Sequence, residues 1–223
     1  TNNQYTANCN GYRSGIYGNT SSQFIWIANN FLTVGSVGIN VDAFKASTTV
    51  RMQVVNNTVI HNQTGNNNNC FGLFGIYVQN LPANTYFETV NNVVRSTTGG
   101  TNFKYGIYTG TGLHVVSYNY ISTGWSVQLS IANDGTNVLN PTLNINATTG
   151  ALNPGDSPIN GGHPDSIYYD LDLTRNDAGC YGGSYSQDNF FPTTGSSRVL
   201  FMSAPRRVLV GSNINIKAEA YDK

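Results

Sequence analysis

Charge is scarce in this sequence. Only 10% of the 223 residues are charged, and 11 Lys and Arg stand against 11 Asp and Glu. This composition provides neither the basic surface that nucleic-acid binding requires nor an acidic tail. Long apolar runs are also missing, so no segment is long enough to span a bilayer. Amides and aromatic hydroxyls are abundant instead, since the chain contains 32 Asn and 14 Tyr.

Cysteine is equally scarce, because the chain contains only Cys9, Cys70 and Cys180. They lie far apart, and no pair has the spacing of metal ligands. One disulfide could form, but three structural thiols are the interpretation that we favour. The chain also begins at Thr1, without an initiator Met or a signal-like apolar stretch. We therefore expect it to be a processed or excised part of a longer protein.

A repeat runs through the first half of the chain. The pair Gly-Ile recurs at 15–16, 38–39, 75–76 and 106–107, followed each time by Tyr or Asn. Downstream of each pair comes a marker asparagine, at Asn30, Asn57, Asn92 and Asn119. The intervals between these markers are 27, 35 and 27 residues, which is the range of structural repeats.

The positions around each marker form columns. The residue two places after it is always apolar: Leu32, Val59, Val94 and Ile121. The residues three and five places before it are mostly apolar, whereas the position between them is mixed: Trp26, Gln53, Glu88 and Val115. This alternation predicts a strand with one buried face. The Gly-Ile segment predicts a second strand, with isoleucine inside and Tyr17, Asn40, Tyr77 and Tyr108 outside.

Two short strands per repeat, separated by turns rich in Gly, Asn and Ser, predict a β-solenoid. The marker asparagines would then stack as a ladder of hydrogen-bonded amides, and each glycine would fit a tight corner. Residues 63–74, QTGNNNNCFGLF, would form an inserted loop. A β-sandwich does not require this register, and a propeller blade needs four strands in about 40–45 residues. Both are weaker alternatives.

The repeat ends near residue 124. The segment NPGDSPINGGHPDSIYYDLDLTRNDAGCYGG at 153–183 resembles the C-terminal closing segment of secreted right-handed parallel β-helix proteins of the pectate-lyase-like superfamily. There an SPA-D-G element leads into a D-D-x-R-D-G-YGG element. The matching residues are Ser157, Pro158, Gly161, Asp165, Asp170, Asp172, Arg175, Asp177, Gly179, Tyr181, Gly182 and Gly183. The chain departs from the pattern at INGG, where an acidic residue often precedes the glycine. Together with the repeats, the resemblance covers about residues 11–183.

A second resemblance follows at 203–223, SAPRRVLVGSNINIKAEAYDK. It is similar to the opening strands of the polycystic-kidney-disease-like and immunoglobulin-like modules that follow β-helices in large secreted bacterial proteins. We therefore expect an all-β chain in three parts. Residues 1–123 would form the coils of a right-handed parallel β-helix, and 124–197 the final irregular coil and C-terminal cap. Residues 198–223 would form a linker and the first strands of a β-sandwich-like module.

Catalytic candidates are few, because the regular repeats contain only two acidic residues, Asp42 and Glu88. Asp42 follows its glycine by 4 residues and Glu88 follows its own by 13, so they fall on different strands. A glycoside hydrolase needs carboxylates roughly 5–10 Å apart, and a lyase needs a base near carboxylates that often hold calcium. No catalytic pair is predicted. His114 is expected to point inward as a structural residue, whereas His61 and His163 are expected in exposed turns.

Two other groups are candidates for binding. Four carboxylates, Asp165, Asp170, Asp172 and Asp177, could supply oxygen ligands to calcium. The favoured alternative is that Arg175 pairs with one of them and the others cap turns. The outward aromatics Tyr17, Tyr77 and Tyr108, with Trp26 on the other strand, could form a sugar-stacking platform or a contact patch for another chain.

These features predict a non-catalytic structural or adhesive module of a large secreted or surface bacterial protein, such as an adhesin, stalk or filament subunit. Its expected location is extracellular or at the cell surface. The expected partners are other protein subunits, including further copies of the chain, or surface glycans. We expect no cofactor other than calcium. The alternative is a carbohydrate-active enzyme, either a polysaccharide lyase or a glycoside hydrolase.

Overall fold

The computed structural model describes residues 3–5, 14–19, 25–42, 52–62, 73–82, 85–97, 104–110, 112–170, 172–186, 198–203, 211 and 217–221. The strands are β1 (Asn3–Tyr5), β2 (Ser14–Asn19), β3 (Trp26–Ala28), β4 (Phe31–Val34), β5 (Val37–Asp42), β6 (Met52–Val55), β7 (Thr58–His61), β8 (Leu73–Gln79), β9 (Tyr86–Val90), β10 (Val93–Ser96), β11 (Lys104–Thr109), β12 (Leu113–Ser117), β13 (Tyr120–Ile121), β14 (Val127–Leu129), β15 (Val138–Leu139), β16 (Arg198–Ser203) and β17 (Lys217–Tyr221). The one helix of the described part is a short 3-10 turn at Ser166–Tyr168.

Fifteen of these strands form three parallel sheets. Sheet A has the order β1-β4-β7-β10-β13-β15, sheet B the order β14-β11-β8-β5-β2, and sheet C the order β12-β9-β6-β3. From β2 to β13, successive strands of the chain enter sheets B, C and A in turn. Each group of three strands is therefore one repeat, stacked on the next. The chain is all-β, with an arrangement compatible with a β-helix.

Each repeat has three strands, not the two that the sequence predicted. The difference lies at the asparagine pairs, because the strands of sheets C and A are separated there by only two residues. The first residue of each pair has a left-handed backbone, with φ of 53° at Asn29, 54° at Asn56, 58° at Asn91 and 54° at Tyr118. Asparagine tolerates this conformation better than most residues. The left-handed residue turns the chain from one sheet into the next.

The predicted columns are confirmed. Leu32 pairs in register with Val59, Val59 with Val94, and Val94 with Ile121, and all four side chains are fully buried. The main apolar core contains residues of all three sheets and therefore lies between them.

The predicted asparagine ladder is also confirmed. Asn57 Oδ1 accepts hydrogen bonds from Asn30 Nδ2 and Asn30 N, both at 3.0 Å. The Nδ2 atoms of Asn57 and Asn92 donate to the next Oδ1 atom along the ladder at 2.9 Å each. The ladder extends one rung further than predicted, because Asn119 Nδ2 donates to Asn137 Oδ1 at 2.9 Å. The sequence carried a signal for this rung, since Leu139 follows Asn137 by two residues and pairs with Ile121.

The repeated glycines lie within strands of sheet B, and the prediction that they form tight corners is wrong. A Cβ atom on Gly106 would lie 2.6 Å from Ile121 Cγ2 and 2.8 Å from Gln128 O. Glycine therefore lets sheet B approach the side chains of sheet A. The next residue, Ile107, also belongs to the core, and the strand register skips the glycine. Two consecutive residues thus face inward at the same place in neighbouring strands, with no residue added to the register, and we call this local break in the alternation the glycine bulge.

The segment after the repeats packs along the outer face of sheet A. Phe31, Ile60, Val93 and Tyr120 on that face form a buried cluster with Leu143, Ile145, Ala178 and Cys180. Cys180 N donates to Thr58 Oγ1 at 2.9 Å, and Gly179 N donates to Asn91 O at 2.8 Å. We call residues 141–186 the cover segment. These contacts lie along the side of the stack, and the final irregular coil and C-terminal cap at 124–197 stay a prediction.

The last two described strands, β16 and β17, pair with each other in antiparallel register. Of the segment 203–223 that resembles opening strands, residues 204–210, 212–216 and 222–223 lie outside the described residues. The boundaries at 123 and 197 remain predictions.

Candidate functional site

The outer face of sheet B carries a cluster of aromatic rings. Phe74 stacks on Tyr77, with 4.3 Å between ring centroids and 14° between planes, and on Tyr105 at 5.4 Å and 12°. Tyr108 lies 5.2 Å from Tyr77 and 5.1 Å from Tyr105. Phe74 is buried within this cluster, whereas the three tyrosines are partly exposed. We call these four rings the aromatic cluster.

The glycine bulge explains why the four rings share one face. Phe74 precedes Tyr77 by three residues, and a regular strand would place them on opposite faces. Because Gly75 and Ile76 both face inward, the next residue, Tyr77, faces outward on the same side as Phe74. Sequence reasoning predicted Tyr77 and Tyr108 but missed Phe74 and Tyr105. The missed signal is an aromatic residue directly before Gly-Ile, and Phe74 had been assigned to the inserted loop.

A groove opens beside this cluster, with a volume of about 570 Å³. Its lining residues are Ser14, Tyr17, Asn40, Tyr77 and Gln79. Asn40 pairs in register with Tyr17 on one side and Tyr77 on the other. The groove therefore lies where an amide interrupts the column of tyrosines. Tyr17 is 56% exposed, and its hydroxyl accepts a hydrogen bond from Asn19 Nδ2 at 3.2 Å.

Asn40 differs from the other groove residues because it is only 6% exposed. Its Oδ1 atom is buried and has no hydrogen-bond partner. Buried polar atoms in proteins are nearly always hydrogen-bonded, so this atom requires an explanation.

The fourth predicted contact residue, Trp26, lies apart from the tyrosines. It belongs to β3 of sheet C and packs edge-on against Tyr185 of the cover segment, with 4.7 Å between ring centroids. The structure thus brings Tyr17, Tyr77 and Tyr108 together in sheet B and leaves Trp26 on another sheet.

The two acidic residues of the repeats are also separated. Asp42 ends β5 of sheet B, and its Oδ1 accepts a hydrogen bond from Asn80 Nδ2 at 3.0 Å. Glu88 lies in β9 of sheet C and is 3% exposed. Its Oε2 accepts hydrogen bonds from Gln53 Nε2 and from Tyr168 OH, the latter at 3.3 Å. Glu88 is thus buried beneath the cover segment.

The four aspartates of the cover segment bind its own backbone. Asp165 Oδ1 accepts from Ile167 N at 3.1 Å, and Asp172 Oδ1 accepts from Thr174 N at 2.9 Å. Asp177 Oδ1 accepts from Asn160 N at 2.6 Å. Asp170 accepts from Asp177 N at 3.0 Å and from Gly183 N. Burial raises the pKa of Asp170 to about 6.

No three His, Cys, Asp or Glu side chains within the described ranges are arranged to hold a metal ion. Arg175 donates to carbonyl oxygens, at 2.7 Å to Gly162 O and 3.4 Å to Gly161 O. These contacts agree with aspartates that cap turns. Calcium binding stays a prediction.

The histidines occupy three different environments. The prediction of an exposed turn for His61 is wrong, because it lies in β7 and is fully buried. Its ring lies 5.5 Å from that of Trp125, and burial and then the charge of Lys104 lower its pKa to about 4. His114 lies in the predicted core column, and burial lowers its pKa to about 3. His163 is half-buried, with its ring centroid 4.7 Å from that of Tyr168.

Cys180 is buried, and its Sγ lies 3.8 Å from Gly150 O. Cys9 and Cys70 lie outside the described residues, so the disulfide question stays open.

Within the described part of the chain, no helix has the length and apolar character of a membrane span. No known protein family matches this chain, and no match is found among curated proteins or solved structures. The similarity to the pectate-lyase-like superfamily therefore rests on the motif residues and the repeats.

Proposed function

We propose that this chain is a non-catalytic structural or adhesive module of a secreted or cell-surface protein. In this proposal the stacked repeats close into a right-handed parallel β-helix of the pectate-lyase-like kind. The outer face of sheet B then contacts another protein subunit or a surface glycan. The observation that carries the proposal is the set of partly exposed tyrosines on that face, of which Tyr17 is 56% exposed.

The regular stack suits a contact surface. Equivalent side chains of neighbouring strands are spaced about 4.8 Å apart, so sheet B presents its tyrosines at fixed intervals. The asparagine ladder ties the repeats together through buried hydrogen bonds. A surface that is rigid before binding loses little conformational entropy on binding. Such a surface favours a partner that is itself repetitive, such as a filament subunit or a polysaccharide.

The arrangement of acidic residues supports a role without catalysis. Asp42 and Glu88 are the only acidic residues among the first 133 positions. They lie on different sheets, and Glu88 is buried. A hydrolase needs two carboxylates that converge on one bond. One observation favours the enzyme alternative: Asp42 follows Asn40 by two residues in β5 and so lies on the groove face.

The pairing of β16 with β17 supports the beginning of a β-sandwich-like module in residues 198–223. In the proposal this module joins the β-helix to the rest of an extracellular protein.

The test measures binding and catalysis together. The 223-residue chain is passed over a neutral polysaccharide, a polygalacturonate, immobilised copies of itself and an uncoated matrix. We expect at least tenfold greater retention on one coated matrix than on the uncoated one. Combined substitution of Tyr17, Tyr77 and Tyr108 by Ala should abolish this retention, whereas Trp26→Ala should not. Neither polysaccharide should yield new reducing ends or unsaturated products.

Release of products that Asp42→Asn abolishes would establish the enzyme alternative instead. Retention that survives the triple substitution would show that the contact surface lies elsewhere.

A further inference from the structure

We infer that the groove on sheet B binds the sugar rings of a neutral polysaccharide, with Asn40 Oδ1 accepting a hydrogen bond from a sugar hydroxyl. This inference rests on the proposed function, because it assigns a ligand class to the same face.

The first argument is the unpaired amide. Asn40 lies in β5 and the ladder residue Asn57 lies between β6 and β7, and the side chains of both are buried. Asn57 Oδ1 accepts two hydrogen bonds, whereas Asn40 Oδ1 accepts none. Asn40 lines the groove, so a ligand that enters there and turns the amide toward itself can supply the missing donor. The hydroxyl groups of a sugar are donors of the required kind.

The second argument is the position of the aromatic rings. Tyr17 and Tyr77 flank Asn40 on adjacent strands, so their backbones are two strand spacings, about 9.6 Å, apart. This separation leaves room for one ring between the two side chains. The apolar faces of sugar rings pack on aromatic rings, while their hydroxyls need polar partners at the rim. Tyr77 is supported from the other side by its stacking on Phe74.

The third argument is charge. Among the described residues of the chain, no charged side chain lines the groove. Asp42, two residues along the strand from Asn40, is a carboxylate that pairs in register with the groove residue Gln79. The described lining offers no cation to pair with a uronate or a sulfated sugar. The groove therefore suits a neutral sugar better than an acidic one.

A peptide is the rival occupant. Extended peptides usually add to an open sheet edge, where backbone groups are available. This groove opens on the face of the sheet: its strands β5 and β8 pair with neighbours on both sides, and β2, which carries Ser14 and Tyr17, is the last strand of sheet B in the described part of the chain. We therefore favour the glycan and leave the peptide as an outcome of the test.

The experiment is isothermal titration calorimetry of the 223-residue chain with hexasaccharides of glucose, mannose and galactose, and with hexagalacturonate. We expect at least one neutral hexasaccharide to bind at least tenfold more tightly than hexagalacturonate. Asn40→Val should reduce that affinity at least tenfold and leave Tm unchanged or raise it, because the substitution removes an unpaired buried amide. Tyr17→Ala should reduce the affinity about tenfold. The matched control Tyr86→Ala, a partly exposed tyrosine of sheet C, should change it less than twofold.

Three results would overturn the inference. Asn40→Val that lowers Tm and leaves the affinity unchanged would make Asn40 a structural residue. If hexagalacturonate binds more tightly than every neutral hexasaccharide, the groove prefers an acidic sugar and the assignment of a neutral ligand is wrong. Absence of binding to every neutral hexasaccharide would exclude the glycan. In that last case, sedimentation would test whether the chain associates with itself. Self-association that Tyr17→Ala abolishes would leave the proposed function standing. If no association of any kind is detected, the inference and the proposed function are both wrong.

Discussion

The outer faces of sheets A and B belong to the same repeats but differ in what covers them. On sheet A the outward residues Phe31, Ile60, Val93 and Tyr120 are buried, and the cover segment packs on them. On sheet B the outward residues include tyrosines and amides, and Tyr17, Tyr77, Tyr105 and Tyr108 keep part of their surface in contact with solvent. The comparison teaches that the inner columns maintain the stack, whereas the outer columns decide which face the chain covers with its own residues.

Truncation of one aromatic residue on each face should give the largest contrast. Phe31 is 3% exposed beneath the cover segment, so Phe31→Ala should reduce the free energy of unfolding by about 4 kcal/mol. Tyr17→Ala on sheet B should change it by less than about 0.5 kcal/mol, because that ring is largely exposed. Urea denaturation of both variants measures the difference. Equal losses would show that sheet B is also covered.

Acid should act with opposite signs on the core and on the cover segment. The low pKa values of His61, about 4, and His114, about 3, mean that the unfolded chain, with a histidine pKa of 6.5, binds more protons as pH falls below that value. Stability is therefore lost from pH 6.5 downward. The raised pKa of Asp170, about 6, has the reverse effect, because the folded chain binds the extra proton between pH 6 and 3.8.

The shifts of the two histidines outweigh those of Asp170 and Asp177, which solvent partly screens, so we expect a net loss of the order of a few kcal/mol between pH 6.5 and 4. Denaturant unfolding at pH 7, 6, 5 and 4 checks the sign. His61→Leu should flatten the decline, and Asp170→Asn should steepen it. A wild-type chain that becomes more stable in acid would contradict the assignment of His61 to the core.

A methyl group in the glycine column should separate sheets A and B. Gly106→Ala would press on Ile121 and on the backbone of Gln128, and we expect a loss of about 2 kcal/mol. The matched control is Gly18→Ala, also in sheet B, where the nearest atom would be Ile25 Cδ1 at 3.5 Å. In thermal unfolding, the Tm of Gly18→Ala should equal that of the wild type, and the Tm of Gly106→Ala should be lower than both. A tolerated Gly106→Ala would mean that the bulge leaves space for a side chain.

Removal of divalent cations should have the smallest effect. The carboxylates of the cover segment already accept hydrogen bonds from backbone amides, such as Asp172 from Thr174 N at 2.9 Å. Excess EDTA should therefore shift Tm by less than about 1 °C, as expected if these carboxylates cap turns and hold no metal in the folded state. A larger shift that calcium reverses would establish the calcium site that the sequence predicted.

The periodic part of the fold could be predicted from the sequence because it depends on nearest-neighbour stacking. Each repeat contacts the next through equivalent positions, so the columns and the asparagine ladder appear as regular spacings. The same argument failed at Asn137, where the interval shortens to 18 residues. It also missed the third strand of each repeat, because a single left-handed residue such as Asn56 makes the turn.

The candidate site was only partly predictable. Tyr17, Tyr77 and Tyr108 were identified from their outward column. Phe74 and Tyr105 were not, because their direction depends on a bulge that reverses the strand alternation. The burial of Asn40 and its unpaired oxygen depend on the neighbouring strands, and no local sequence pattern predicts them.

The sequence by itself determined the all-β character, the inner columns and the amide ladder, because these follow from local periodicity and from contacts between adjacent repeats. The tertiary structure alone decided that the cover segment lies on sheet A and that Glu88 is buried beneath Tyr168. It also decided that His61 enters the core and that one amide is left unpaired in a groove. These outcomes depend on contacts between residues far apart in the chain, and no local spacing encodes such contacts.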